Sequence, residues 1–332
     1  MDIRNIRALK DTASQRLETA REEKKILLIY AGITIGASAL VTILNYVLDL
    51  QIDQTGGLSN MGLRTILTTI QSVLPIVQSL ALACLEMGFL AAMLRICRGM
   101  YTSPQTLRAG MPRFLAMVRC SLLQGAIYLG AILVSFYLSF QIYLITPLSN
   151  AAMEILTPLV SGASVVDPTI LLDEATQIEL TYAMIPMFVL FGVVALCLCV
   201  PISYQYRMAN YILMDDPRAG ALYALRESRN MMRHNKFALF RLDLSFWWYY
   251  GLTLLAGLVC YGDMLLPMLG VTLPWSSTVS YFVFYALFLV MSFGIYYFFL
   301  NRVNVTYALA YDSLRPRREE SGGVVLGNIF DM

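Results

Sequence analysis

One histidine, His234, occurs in 332 residues, and only 14% of the chain is charged. No group of His and Cys has metal-ligand spacing, since Cys197 and Cys199 are separated by a single residue and stand far from His234. The six cysteines (Cys84, Cys97, Cys120, Cys197, Cys199 and Cys260) fall in or beside apolar runs, where they read as small packing residues rather than disulfide partners. G-x-S-x-G, H-E-x-x-H and P-loop sequences are missing, and no apolar run carries a pair of aspartates. The expectation is a chain with no catalytic, cofactor-binding or metal-binding residues, and therefore not an enzyme. No nucleic-acid partner is expected either. Residues 2–25 are charged in both signs and lack a small-residue cleavage site, so they are not a signal peptide.

What is abundant is apolar length. Hydrophobic residues make up 58% of the chain and its mean hydropathy is +0.63, outside the range of water-soluble domains. Six runs of about 20 residues or more can each cross roughly 30 Å of hydrocarbon at about 1.5 Å per residue. They are 26–48, 75–94, 121–146, 182–206, 244–266 and 279–300. The expected fold is all-α: a polytopic transmembrane bundle of six spans. Residues 1–25 form an amphipathic N-terminal helix, 26–314 the membrane domain and 315–332 a flexible tail.

Cations of one side are also scarce. Alternating the loops leaves 23 of the 24 Lys and Arg residues on one face with 13 acids, while the other keeps Arg64 against eight acids. Between Arg119 and Arg207 there is no basic residue. The positive-inside rule makes the basic face cytosolic, with both termini inside and the plasma membrane as the location. The stretch from Pro201 to Gly251 shows the grammar best. An apolar run ends at Tyr206 and meets Arg207, Asp216-Pro217 opens a short basic helix, and the chain re-enters through Trp247, Trp248, Tyr249 and Tyr250.

Each odd-numbered span follows a basic amphipathic segment (2–25, 104–118 and 217–233), which suggests a threefold internal repeat of surface helix and two spans. In the first, Ile3, Ile6, Leu9, Ala13, Leu17 and Ala20 recur at helical spacing, as expected of a helix at the cytosolic interface. Pro75 is expected near the start of the second span, and Pro186 and Pro201 to leave irregular backbone in the fourth. The outer segment 147–181 is expected to hold two short helices. Gly32-x-x-x-Gly36 permits close helix approach, so self-association or contact with another membrane protein through Gly32 and Gly36 is one partner expectation.

Two clusters carry the functional expectations. Glu86 is the one charge well inside a run; nine residues before Arg95, it would lie about 13 Å deep, near the midplane. Gln78, Gln124 and Tyr128 are its candidate polar neighbours. Arg226, Arg229 and Arg233 form a stripe, with Leu222, Leu225 and Met232 expected on the other side, and would contact anionic membrane-lipid headgroups.

Several fragments resemble a family of bacterial, mainly Gram-positive, six-span membrane proteins known only as a domain of unknown function. The most specific are Ser228-x-x-Met231-Met232 and Phe240-x-Leu242-x-Leu244-Ser245-Phe246-Trp247. Ile6-Arg7-Ala8-Leu9-Lys10, Leu94-Arg95-Ile96-Cys97-Arg98-Gly99 and Thr306-Tyr307-Ala308-Leu309-Ala310-Tyr311 support them. The resemblance implies fold and location and assigns no activity. The expected function is a non-enzymatic membrane component engaging lipids or other membrane proteins. The alternative is a small-solute or ion transporter using Glu86. An enzyme would need Asp243, Asp263 or Glu86 to converge in one wet cleft.

Overall fold

The computed structural model describes residues 5–20, 22–54, 61–147, 149–150, 153–154, 174–271 and 274–315. The greater part of the two expected outer-segment helices and the tail from 316 lie outside the described residues. All regular structure among the described residues is helical. The elements are α1 (Ile6–Thr19), α2 (Glu23–Gln54), α3 (Met61–Cys97), a 3-10 helix (Pro104–Arg113), α4 (Phe114–Ile145), α5 (Glu174–Tyr206) and α6 (Ala209–Asp215). They continue with α7 (Ala221–Met232), α8 (Lys236–Leu244), α9 (Trp247–Cys260), α10 (Gly262–Met268), α11 (Ser277–Ile295), a π-helical turn (Tyr296–Leu300) and α12 (Asn301–Leu314).

Five helical runs are long and apolar enough to cross a membrane, and the pair α9–α10, bent by 74°, makes a sixth if it is one broken span. The chain is a polytopic helical membrane protein. The fifth apolar run differs from the expected single helix: it breaks at Ser245–Phe246 and again at Tyr261. Gly262 stands at the second break, where a Cβ would come within 2.6 Å of the Phe284 ring, so α11 packs into the bend. The prolines behave more mildly than expected. α3 starts at Met61 and runs through Pro75, and α5 is continuous across Pro186 and Pro201. A proline removes one hydrogen bond, which a long helix in lipid tolerates.

The chain divides into two compact units. The first comprises Met1–Phe114, Met214–Pro217 and Phe237–Met332, and the second Leu115–Leu213 and Arg218–Lys236.

In the first unit α3 changes character along its length. Leu63, Ile66, Ile70, Val73, Ile76 and Val77 are exposed, as suits a lipid-facing helix. From Met87 to Cys97 every residue but Arg95 is buried. A helix that met lipid on one side would keep an exposed stripe there; this third of α3 is enclosed by protein. Its neighbours are α1, whose Leu9 and Ala13 are fully buried, the 3-10 helix, and α12 through Val305. The amphipathic pattern of α1 is therefore satisfied by the chain itself. Lys10, on its polar side, donates to the Ser245 carbonyl at 2.8 Å and lies 4.0 Å above the Phe246 ring. That placement caps the last turn of α8 with a cation. Burial, then the charge of Arg302, lowers the Lys10 amine from its ordinary pKa.

Two glycines make the enclosure possible. A Cβ on Gly88 would lie 1.9 Å from the Leu107 carbonyl oxygen, and one on Gly110 would lie 2.1 Å from that of Cys84. The backbones of α3 and the 3-10 helix thus touch directly. Pro112, which has no N–H and crowds the carbonyl four residues back, disfavours an α-helix through this segment. α3 itself stops at Gly99, at φ +69°, with Met100 N–H on the Arg95 carbonyl (2.9 Å) and Gly99 N–H on that of Ile96 (3.0 Å). This pair of bonds is the Schellman arrangement, which glycine adopts without steric cost.

In the second unit, Tyr143 of α4 donates to the Ala183 carbonyl of α5 at 2.8 Å, and Phe136 meets Phe191 edge-on. α7 docks through Ala221, Ala224, Leu225, Ser228, Met231 and Met232. The Ser228 hydroxyl donates to the Gln205 carbonyl (3.0 Å) and accepts from the Met208 N–H (3.2 Å), tying α7 to the end of α5.

Candidate functional site

Three chain segments meet at the end of α3. Arg98 follows the helix directly, so its side chain reaches past the last turn. Its guanidinium holds Asp312 by two bonds, Nε to Oδ2 at 3.2 Å and Nη2 to Oδ1 at 2.7 Å. The third nitrogen holds Asp215 at 2.6 Å. Asp215 also accepts from Arg315 at 2.7 Å and from the Tyr311 hydroxyl at 2.9 Å, and its side chain is only 5% exposed. Cys97 directs its thiol at Asp312, 3.5 Å away. Burial alone would raise the Asp215 carboxyl; the Arg98 hydrogen bond and charge, with Arg315 and Tyr311, outweigh it and hold the group below its ordinary value. Burial alone would lower Arg98, and the two carboxylates reverse that and raise it.

Arg98 and Arg315 pair with Asp215 and Asp312, and the role of the cluster is mechanical: Arg98 fixes the positions of α3, the segment Met214–Pro217 and α12 within the first unit. A pH dependence follows. A depressed carboxyl contributes stability that is complete above its unfolded pKa of about 3.9 and is lost as pH falls through the lower, folded value. The unfolding midpoint of the solubilised protein should stay flat from neutral pH into mild acid and drop below about pH 4. Asp215→Asn should blunt that drop. A wild-type acid profile unchanged by the substitution would show that Asp215 does not carry it.

Glu86 sits one turn before Phe89, where exposed α3 becomes enclosed α3. The 3-10 helix bearing Arg108 and Arg113 runs beside residues 84–88, so Glu86 stands level with a cation-bearing segment. Glu86 is exposed as a residue, and its carboxylate has no hydrogen bond or ion pair among the described residues. Tyr30 and Tyr296 lie within its electrostatic reach, and Tyr30 stacks on Phe89 with ring centroids 4.3 Å apart. Of the expected neighbours, Gln78 shares the first unit and donates its amide to the Ser38 hydroxyl at 3.2 Å. Gln124 and Tyr128 belong to the second unit. There Gln124 points its amide at the Cys120 sulfur (3.7 Å), and Tyr128 interacts with Cys199 and Tyr206 of α5.

The α7 stripe has the expected exposure and a different composition. Arg226, Arg229 and Arg233 are all exposed, and Leu222, 72% exposed, heads their row instead of lying opposite. Helical spacing explains it: positions 222, 226, 229 and 233 share one face, while Leu225 and Met232 are buried with the docking residues. Tyr223 is exposed beside them, and so is His234 just beyond the helix. A Cβ added at Gly32 or Gly36 would meet nothing within 4 Å, so no part of the described chain fills that face of α2. Asp243 accepts from the Tyr307 hydroxyl, which also bonds Tyr250 at 2.8 Å, whereas Asp263 interacts with Cys260 and Tyr281.

The Arg98 cluster was missed by sequence reasoning. Only Cys97, Arg98 and Tyr311 fall in fragments read as family resemblance, Leu94–Gly99 and Thr306–Tyr311, while Asp215, Asp312 and Arg315 lie outside them. In comparisons with known proteins, the profile of one family, described as a protein of unknown function (DUF975), matches residues 2–318. No curated protein and no solved structure matches the chain.

Proposed function

Because the chain belongs to the DUF975 family, whose function is unknown, we propose from its own residues that it is a non-enzymatic component of the plasma membrane. In this reading both termini are cytosolic and α7 engages anionic lipid headgroups. The observation that carries it is the outer face of α7, where Leu222 and Tyr223 are exposed next to Arg226, Arg229 and Arg233. Exposed apolar side chains beside a cation stripe suit the boundary between headgroups and acyl chains. The segregation of 23 of 24 cations to one face supports the orientation. The open Gly32 and Gly36 face supports a second contact, with another copy or another membrane protein.

Each cation near an anionic surface contributes about 1 kcal/mol. In bilayers containing spin-labelled phosphatidylglycerol, the combined substitution Arg226→Ala, Arg229→Ala, Arg233→Ala should lower the preference for that lipid by about tenfold or more. High salt should reproduce much of the loss in the unaltered protein. A preference unchanged by either treatment rules out the lipid reading.

A further inference from the structure

A groove of about 210 Å³ runs between α2 and α3 in the first unit, lined by Ile33, Ala37 and Val41 on one side and Val77, Ala81 and Leu85 on the other. Its one polar lining residue, Gln78, has its amide engaged by Ser38. A solute or ion would find no continuous polar path here, whereas a chain of methylenes fits without desolvation cost. Ile33 and Val77 are exposed, so the groove opens on the side where the helices meet lipid.

The end nearer Arg98 is chemically different. Leu85 of the groove wall precedes Glu86, and Tyr30 lies one turn from Ile33. Tyr296 opens the π-helical turn, a backbone irregularity common at functional positions. Tyr30, Tyr249 and Tyr296 all pack against the same core cluster. Glu86, with no hydrogen bond or ion pair among the described residues, thus follows the last groove-wall residue of α3 and lies within electrostatic reach of Tyr30 and Tyr296.

We propose that this groove holds an acyl chain of a membrane lipid whose protonated primary amine is bound by Glu86 between Tyr30 and Tyr296. Phosphatidylethanolamine carries both features in one molecule. The carboxylate supplies a charge-assisted hydrogen bond and the rings supply cation–π attraction. Anionic lipids are disfavoured here by the same carboxylate. The site thus has the opposite charge preference to α7 and does not depend on that reading.

The test uses the full-length protein reconstituted with equal amounts of phosphatidylethanolamine, phosphatidylglycerol and phosphatidylcholine, then released from the bilayer for native mass spectrometry of retained lipid. Phosphatidylethanolamine should be retained about tenfold over phosphatidylglycerol at one tight position. Glu86→Gln should bring the lipids to parity there, and Ala81→Phe, which fills the groove, should empty it of all of them. The Arg226, Arg229 and Arg233 substitutions should leave the amine preference intact, which separates this site from α7. A second comparison needs no variant: N-acylated phosphatidylethanolamine keeps its chains but loses the cation, and should be held no better than phosphatidylcholine. Equal retention of amine and anionic lipids, an unaltered preference in Glu86→Gln, or full retention of the N-acylated lipid would each overturn the proposal. Should Glu86→Gln fail to fold, the N-acylated lipid decides.

Discussion

Replacing Arg98 with methionine is expected to destabilise the solubilised protein by about 3 kcal/mol or more. The substitution keeps the volume and removes the charge that two carboxylates share. Asp215 is then left with Arg315 and Tyr311, and its side chain is only 5% exposed, so the lost partner is not replaced by solvent. Replacing a whole buried ion pair by apolar groups can be neutral, but removing one partner strands the other. Asp312 is different, because 28% of its side chain is exposed and water can take over from Arg98. Asp312→Asn should therefore cost about 1 kcal/mol. Chemical denaturation in mild detergent measures both, and the order Arg98→Met well above Asp312→Asn is the result that matters. Equal costs would mean that Arg98 does not act through Asp215.

The second large effect is steric. Gly88→Ala and Gly110→Ala should each cost about 3 kcal/mol or more, because each new methyl meets a backbone carbonyl, of Leu107 or Cys84, that cannot rotate away. Gly125→Ala is the control. Nothing lies within 4 Å of its Cβ position, and alanine favours helix over glycine by up to about 1 kcal/mol. The same methyl should thus stabilise at 125 and destabilise at 88 and 110. If all three behave alike, the direct contact between α3 and the 3-10 helix is absent.

Much of the architecture was legible because lipid imposes length and polarity on each crossing. Five of the six apolar runs correspond to long helices, and the sixth to the broken pair α9–α10. The break itself was marked by Tyr261-Gly262-Asp263, but a glycine in an apolar run signals a bend only when a bulky neighbour such as Phe284 needs its space. The enclosure of Met87–Cys97 was not legible, since a residue facing lipid and one facing a protein core are equally apolar. Counting nine residues from Arg95 gives distance along α3, while the membrane boundary depends on how the segment bearing Arg108 and Arg113 folds back.

The candidate sites divide along a similar line. The α7 stripe was readable from local spacing alone, apart from Leu222, whose angular position places it with the arginines. The Arg98 cluster was not, because Asp215 and Asp312 lie 117 and 214 residues away and no local pattern pairs them. The groove beside Glu86 needed the relative rotation of α2 and α3, which two apolar sequences do not encode visibly.

Collision accessibility along α3 tests the central claim most directly. Single nitroxides placed from Leu63 to Cys97 in the reconstituted protein report contact with lipid through relaxation by oxygen. High oxygen accessibility from Leu63 to Val77 is expected, falling near Glu86 to immobile, inaccessible positions from Met87 to Cys97. Oxygen accessibility that continues with helical period through to Cys97 would place that third of α3 in lipid and contradict the enclosure on which the Arg98 clamp and the position of Glu86 both rest.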